Sequence, residues 1–208
     1  MDLHLLRLAL SHHLGSQLTP ELAQQILLIA VGEADLAPDP EAFQPEEHDG
    51  YVIRVERLRD LVRELHPLHE LHWQETEKYR HGLALSVDYL QMCAWERSGR
   101  LIQFVLRSPG GQLVGQCRMY LAKSMHTSAL IAEEDTLFIH PDHRGRLLGV
   151  RLLRYVERVL VQQIGVREIR TNSKLANNAD VLMRRLKYEP VATQFAKVFP
   201  PRGADDVQ

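Results

Sequence analysis

The stretch HPDHRGRLLG, residues 140–149, combines residue types that together could bind an anion. It turns and then enters an amphipathic helix, and a helix N-terminus offers unpaired N–H groups and about half a positive charge. Arg144 and Arg146 add positive charge at the turn. Gly145 and Gly149 let the backbone come close to a ligand. From spacing alone, a pyrophosphate site and an ordinary basic strand-to-helix turn fit equally well.

Three consecutive carboxylates, Glu133, Glu134 and Asp135, stand before the apolar end of the strand that leads into this turn. A carboxylate can accept the proton that an attacking amine must lose, so these residues are candidates for a general base. In a regular strand Glu133 and Asp135 face one way and Glu134 faces the other. A solvated, acidic start of a strand is the alternative interpretation.

The stretch LHPLHELHWQE carries three histidines at three-residue spacing, His66, His69 and His72. Residues three apart share a helix face, and such a face could hold a metal ion. However, Pro67 interrupts the run, and the sequence has no His-x-x-x-His pair. We therefore predict that the protein binds no metal.

The elements that position these residues follow from the apolar periodicity. The predicted strands are YVIRVE, the hairpin LIQFVLRS and QLVGQCRMYLAK, residues 129–140, VREIRTN, and one or two short strands in YEPVATQFAKVF. The predicted helices are residues 57–80 with a break near His66-Pro67, 86–98, 146–163 ending at Gly165, and ANNADVLMRRL. This order indicates an α/β fold with a mixed, mainly antiparallel central sheet and helices on its faces.

The ends of the chain differ in composition from this domain. Residues 1–33 have helical spacing and a stripe of leucines, which predicts a helical hairpin that serves oligomerisation or docking. Residues 34–50 are rich in Pro, Asp and Glu and are interpreted as a linker, and residues 201–208 as a polar tail. The main domain is thus placed at residues 51–200.

The charge, the apolar runs and the cysteines of the chain limit the classes of partner and location that we expect. The formal net charge is −2, and the helix after Thr19 has no Lys or Arg, so we expect no nucleic-acid partner. The longest apolar run, ILLIAV, is too short to cross a bilayer, and the N-terminus does not resemble a signal peptide. Two distant cysteines, Cys93 and Cys117, are expected to be reduced. These features predict a cytoplasmic protein without membrane attachment.

The stretch LFIHPDHRGRLLGVRLL resembles the signature of the GNAT superfamily of acyl-CoA N-acyltransferases. An apolar strand ending at Pro141 is followed by Arg144, Gly145 and Gly149, and Leu147 stands where the family usually has a middle glycine. Downstream, LKYEP resembles the family's Leu-Gly-Phe or Leu-Gly-Tyr ending. The resemblance covers about residues 51–199. The element order and LHPLHELHWQE are also similar to small GNAT proteins of phages and prophages.

The resemblance implies a sheet that splays so that acetyl-CoA, the co-substrate, lies between two parallel strands. The pantetheine would pair with the strand that ends in Leu137, Phe138 and Ile139. The pyrophosphate would rest on N–H groups of residues 144–149, namely Arg144, Gly145, Arg146, Leu147, Leu148 and Gly149. A Leu147 with ordinary helical φ and ψ would still offer its N–H. Asn177 or Asn178 would cap the next helix and contact the pantetheine.

The resemblance also assigns catalytic roles. Glu134, preferred over Glu133, would be the general base, because a bulge in this strand of the family's fold can exchange its faces. The backbone N–H of Leu137 would stabilise the oxyanion. The residue that usually protonates the thiolate is a Tyr, and Met183 stands in its place, while Tyr188 is expected to pack. His72, Trp73 and Glu75 would contact the acceptor, although a polar helix face with Trp73 in the core is equally consistent.

The predicted activity is therefore transfer of an acetyl group from acetyl-CoA to a primary amine in a ternary complex. The acceptor would be a small molecule or a peptide, and the N-terminal helices would support a homodimer. A non-catalytic acyl-CoA-binding or scaffold protein of the same fold is the alternative, motivated by Leu147 and Met183.

Overall fold

A six-stranded sheet in the order β1-β2-β3-β4-β5-β6 organises the computed structural model. The structure describes residues 6–7, 10–11, 13–30, 35–77, 84–174 and 179–198. The strands are β1 (Glu46–His48), β2 (Tyr51–Val55), β3 (Leu101–Arg107), β4 (Leu113–Lys123), β5 (Leu130–Ile139) and β6 (Glu168–Arg170). The helices are α1 (Pro20–Ala30), α2 (Leu58–Thr76), α3 (Tyr89–Arg97), α4 (Leu148–Arg158) and α5 (Asp180–Arg185).

Neighbouring strands are antiparallel except for β5 and β6, which run parallel. The apolar face of α2 packs with α3 residues on one face of the sheet, around Leu61, Leu65 and Leu68. The strongly amphipathic α4 packs on the other face, with Leu152, Tyr155 and other residues fully buried. The predicted mixed, mainly antiparallel sheet with helices on both faces is confirmed.

Helix α4 continues as a π-helical segment, Val159–Ile164, and ends at Gly165, whose left-handed φ of 83° closes the helix as predicted. In the described part of the chain, no helix is long and apolar enough to cross a membrane.

The predicted break at Pro67 is wrong, because α2 runs through that residue without interruption. Pro67 is exposed, so water can satisfy the backbone carbonyl that the proline leaves unbonded. The buried Leu65 and Leu68 on either side hold the helix against the sheet. Packing thus outweighs the local helix-breaking tendency.

The linker interpretation of residues 34–50 is wrong for residues 40–48. A 3-10 turn, Pro40–Ala42, precedes the buried Phe43, which belongs to the main core. Strand β1 then pairs with β2 through a two-residue turn at Asp49-Gly50, whose φ values are 50° and 77°. Asp-Gly is a strong signal for such a hairpin, and here it was hidden by the acidic composition around it.

The terminal segments also differ from expectation. Residues 189–198 form no strand, and Val191 and Phe195 are exposed, so the predicted closing strand is wrong. Thr19 caps α1 as predicted, its Oγ1 accepting a hydrogen bond from the N–H of Leu22 at 3.2 Å. Most of the first predicted helix lies outside the described residues.

We predict that Glu96→Ala destabilises the fold by about 1–3 kcal/mol. Glu96 is buried on α3, and its Oε1 accepts a hydrogen bond of 2.8 Å from the N–H of Leu58, the first residue of α2. Arg57, the residue before the helix, provides no side-chain cap. Urea unfolding at pH 7 measures the change. Glu96→Gln is the control, since it keeps an acceptor oxygen, and an equal loss in both variants would contradict the cap.

Candidate functional site

The parallel strands β5 and β6 separate after three residue pairs, the last being Glu133 opposite Arg170. A cleft of about 250 Å³ opens at this point. It lies at the carboxyl ends of two parallel strands, where open sheets commonly bind ligands. The described residues that line it are His72, Tyr120, Glu133, Glu134, Asp135, Leu137, Asn172, Lys174, Ala179 and Gln194.

A β-bulge in β5 determines which side chains face the cleft. Arg118 lies opposite Thr136 and Met119 lies opposite Glu134, so Asp135 is the extra residue without a partner on β4. Strand β5 therefore exchanges its faces at Asp135. Thr136 contacts α2 through His72, whereas Ala132, four residues earlier, packs in the core on the α4 side. The expected exchange of faces occurs in this strand.

Glu134 is a buried carboxylate at the point where the strands separate, with only 7% of its surface exposed. Its Oε2 accepts a hydrogen bond of 2.9 Å from the backbone N–H of Asn172, which follows β6. Burial raises the pKa of Glu134 to about 7, against the weaker lowering effect of the Asn172 N–H. Glu133, by contrast, is exposed. Of the two predicted carboxylates, Glu134 thus has the environment of a proton acceptor near neutral pH.

Leu137, Phe138 and Ile139 were predicted to pair with the pantetheine through their backbone. Only two of the three direct their backbone polar groups toward the gap between β5 and β6. His140 donates to the carbonyl of Val114 at 2.8 Å, so the antiparallel ladder makes Phe138 and Gln116 a hydrogen-bonded pair. The N–H and C=O groups of Leu137 and Ile139 consequently point away from β4 and toward the cleft. The predicted role of the Phe138 backbone is wrong, because alternation directs its polar groups into the sheet.

The loop after β5 has three consecutive residues with positive φ, namely Gly145 at 105°, Arg146 at 47° and Leu147 at 60°. The prediction that Leu147 has helical φ and ψ is wrong, since it adopts the left-handed conformation just before α4. That conformation is unfavourable for leucine and natural for glycine. Its side chain is half-exposed.

Six backbone N–H groups, those of residues 144–149, were predicted to bind the pyrophosphate, but some of them already donate hydrogen bonds within the chain. The N–H of Arg144 donates to Pro141 at 3.1 Å, and that of Leu148 donates to Gly145 at 2.9 Å. Helix α4 starts at Leu148 and not at Arg146. The Cα of Gly149 faces Leu182, where an added Cβ would come within 3.3 Å of the leucine side chain. Gly149 therefore serves the close packing of α4 on α5.

The guanidinium of Arg144 is held by three groups. Its Nε donates to the carbonyl of Ile139 at 2.9 Å, and its Nη2 donates to Glu75 Oε2 at 2.5 Å. The guanidinium carbon also lies 5.3 Å from the ring centre of Phe138. Glu75 was predicted to contact the acceptor substrate. This ion pair places it instead against the loop between β5 and α4, which is called the anion loop below.

Helix α2 forms one wall of the cleft through His72. The His72 ring lies 5.1 Å from the Phe138 ring, and its Nδ1 is 2.9 Å from Thr136 Oγ1. Burial lowers the pKa of His72, so it is neutral at pH 7. Trp73 is half-buried and is not among the described residues that line the cleft. Of His72, Trp73 and Glu75, which were predicted to contact the acceptor substrate, only His72 lies in the cleft wall.

Behind the cleft, a buried polar network supports Asp135. Arg118 Nε and Nη2 both contact Asp135 Oδ2, at 2.7 and 2.6 Å. Arg118 also donates to His69 Nε2 at 3.3 Å, and His69 Nδ1 lies 2.8 Å from Tyr89 Oη. Burial lowers the pKa of His69 to about 4, so the histidine is neutral and can accept from Arg118.

Five cleft residues escaped sequence reasoning: Tyr120, Asn172, Lys174, Ala179 and Gln194. The available signal for Asn172 was its position at the end of a strand that runs parallel to β5. Lys174 is ion-paired with Glu77 at 2.5 Å. The predicted Asn177 and Asn178 lie outside the described residues.

Met183 is buried, and its sulfur accepts a hydrogen bond from Thr171 Oγ1 at 3.2 Å. Tyr188 packs against the same core, as predicted. Among the described residues, no cluster of three or more His, Cys, Asp or Glu side chains is arranged to hold a metal ion.

Comparisons with known proteins place this site in context. Residues 64–183 match the model of the Acetyltransferase (GNAT) family. A search of curated proteins gives no significant match.

Several solved structures share the fold. A ribosomal-protein-alanine N-acetyltransferase from Brucella melitensis is 19% identical, with a TM-score of 0.54, covering 71% of this chain and 99% of its own. An aminoglycoside acetyltransferase from an uncultured soil metagenomic sample is 13% identical, with a TM-score of 0.59, covering 74% and 100%. Glucosamine-6-phosphate N-acetyltransferase from Arabidopsis thaliana is 15% identical, with a TM-score of 0.56, covering 72% and 99%.

We predict that Leu147→Gly stabilises the protein by about 0.5–1 kcal/mol. The left-handed conformation costs a non-glycine residue about 1–2 kcal/mol, and the greater flexibility of glycine offsets about 0.5–1 kcal/mol of the relief. Urea unfolding measures the difference. Leu147→Ala is the matched control, because it removes the half-exposed side chain but keeps the Cβ. Equal stabilities of the two variants would argue against backbone strain at this position.

Proposed function

The chain belongs to the Acetyltransferase (GNAT) family, and we propose that it transfers the acetyl group of acetyl-CoA to a primary amine by direct attack in a ternary complex. The observation that carries the proposal is Glu134, a buried carboxylate with a pKa of about 7 beside the cleft between β5 and β6. A base with that pKa is ionised in a large fraction of molecules at neutral pH and still accepts a proton readily.

Acetyl-CoA supplies an acyl group that is activated as a thioester. The acceptor amine must lose a proton as its nitrogen forms the new bond to the acyl carbon and the carbon–sulfur bond breaks. Glu134 accepts that proton, directly or through one water molecule, and the Asn172 N–H keeps its carboxylate oriented. Neutral His72 and Tyr120 form polar parts of the wall around the acceptor.

The backbone of β5 would hold the pantetheine and the developing oxyanion. Leu137 directs its N–H and C=O groups toward the gap and Ile139 its N–H group, and amides of an extended ligand pair with such groups. The N–H of Leu137 is the donor that we assign to the oxyanion. The N–H groups of Gly145, Arg146 and Leu147 and the guanidinium of Arg144 would hold the diphosphate.

The tyrosine expected to protonate the leaving thiolate is replaced by Met183, whose side chain is buried in the core. Tyr120 lines the cleft, and burial raises its pKa to about 12, so it carries a proton at pH 7. A thiolate is also a fair leaving group without a proton donor. If acetyl-CoA binds but no amine is acetylated, the alternative function holds, namely a non-catalytic protein that binds acyl-CoA.

We propose a small-molecule or peptide amine as acceptor, and a cytoplasmic location. Leu14 and Leu18, which precede α1, and Leu27 on α1 are exposed, and these leucines support a homodimer through the N-terminal segment.

We predict that Arg144→Ala weakens acetyl-CoA binding by about tenfold or more, the value of a charge-assisted hydrogen bond to a phosphate. Isothermal titration calorimetry measures the Kd. Arg154→Ala is the control, because it removes a positive charge from an exposed position of α4. Absence of binding to the unmodified protein would refute the proposed co-substrate, and equal effects of both variants would refute the role of Arg144.

We predict that Glu134→Gln lowers kcat by about 10²–10⁴-fold while the Kd for acetyl-CoA changes little. Release of free thiol with a panel of amines measures turnover. Since Glu134 must be ionised to act, kcat of the unmodified enzyme should rise with pH and level off above pH 7, near the pKa of about 7.

A stability measurement separates this role from structural damage. The folded protein raises the pKa of Glu134 from 4.5 to about 7, so it binds more protons than the unfolded chain between these values. The stabilisation linked to the protonated carboxyl is complete below pH 4.5 and is lost as pH rises through 7. Glu134→Gln should therefore be more stable than the unmodified protein at pH 8. A less stable variant would indicate that its inactivity comes from misfolding.

A further inference from the structure

The end of α2 contacts both sides of the cleft. Glu75, in the last turn, pairs with Arg144 beyond β5 at 2.5 Å. Glu77, the residue after the helix, pairs with Lys174 beyond β6 at 2.5 Å. Two carboxylates on one helix end thus connect the loops that follow the two separated strands.

Arg144 does not need Glu75 for its position. Its Nε is fixed by the carbonyl of Ile139 at 2.9 Å, and its guanidinium lies over the Phe138 ring. Glu75 contacts the guanidinium at Nη2. Its carboxylate takes an N–H donor that a phosphate oxygen could use, and it neutralises the charge of the guanidinium.

We propose that Glu75 is an internal competitor of the co-substrate diphosphate, because its carboxylate takes a donor of Arg144 and neutralises the positive charge that would attract the diphosphate. The inference rests on the proposed function, since it presumes that the loop binds acetyl-CoA. Glu75 repels the diphosphate and weakens its binding, and it is released from Nη2 when the diphosphate takes that donor.

The displaced carboxylate connects the two substrates. Glu75 lies one helical turn from His72, which forms part of the cleft wall. Once Arg144 binds the diphosphate, Glu75 adds a negative charge near a cleft that Glu133 and Asp135 already line. The predicted role of Glu75 in acceptor binding depends on this release.

The test compares Kd values for acetyl-CoA and for S-acetylpantetheine, which lacks the diphosphate, by isothermal titration calorimetry. Glu75→Gln should bind acetyl-CoA about three- to tenfold more tightly, the range expected for removing a partly exposed ion pair and a nearby like charge. Its affinity for S-acetylpantetheine should stay within about twofold. Glu75→Ala provides a second variant that should change in the same direction.

Glu70→Gln is the matched control, since it neutralises a carboxylate on the same helix that pairs with His66 and not with Arg144. It should leave both affinities unchanged. An unmodified protein that binds acetyl-CoA, together with Glu75 variants that bind it equally or more weakly, would overturn this inference alone. An unmodified protein that binds no acetyl-CoA would overturn the proposed function and the inference together.

Discussion

The hydrogen bond between the Asn172 N–H and Glu134 lies where the parallel strands β5 and β6 stop pairing. An N–H that would otherwise continue the ladder donates to a side chain instead, so the strands separate without leaving that donor unsatisfied. The same position buries the carboxylate and raises its pKa. The opening of the sheet and the proton affinity of Glu134 are therefore consequences of one local arrangement.

The bulge at Asp135 makes this arrangement compatible with the two cores. Ala132 and Glu134 point toward the α4 side, whereas Thr136 and Phe138 pack on the α2 side. In a regular strand without the bulge, the four side chains would share one face and the apolar Phe138 would lose its core. Asp135 itself is held by the buried Arg118, which in turn donates to a neutral His69. Arg118 is buried and Asp135 is exposed, so this ion pair ties the bulged residue to β4.

The sequence predicted correctly the features that depend on neighbouring residues. It was misleading for the features that depend on tertiary packing. Strand alternation, the leucine face of α4, the cap at Thr19 and the stop at Gly165 are all local, and the structure agrees with them. Pro67 favours a break, but burial of its neighbours overrides it. Pairing of Glu46–His48 depends on β2, which composition does not reveal. Lys174 and Gln194 meet the cleft only through the tertiary fold, and Asn172 was marked only by its position after a strand that pairs with β5.

Leu147 and Glu75 oppose the anion loop by different means. Leu147 has a left-handed backbone, and its Cβ makes that conformation unfavourable. Glu75 neutralises the guanidinium of Arg144, which is otherwise the strongest single donor near the loop. Both effects act on affinity and leave the carboxylate at the strand separation untouched. In the proposed function, such a combination would let acetyl-CoA dissociate readily while Glu134 keeps its role, because tighter ground-state binding would not by itself accelerate the transfer.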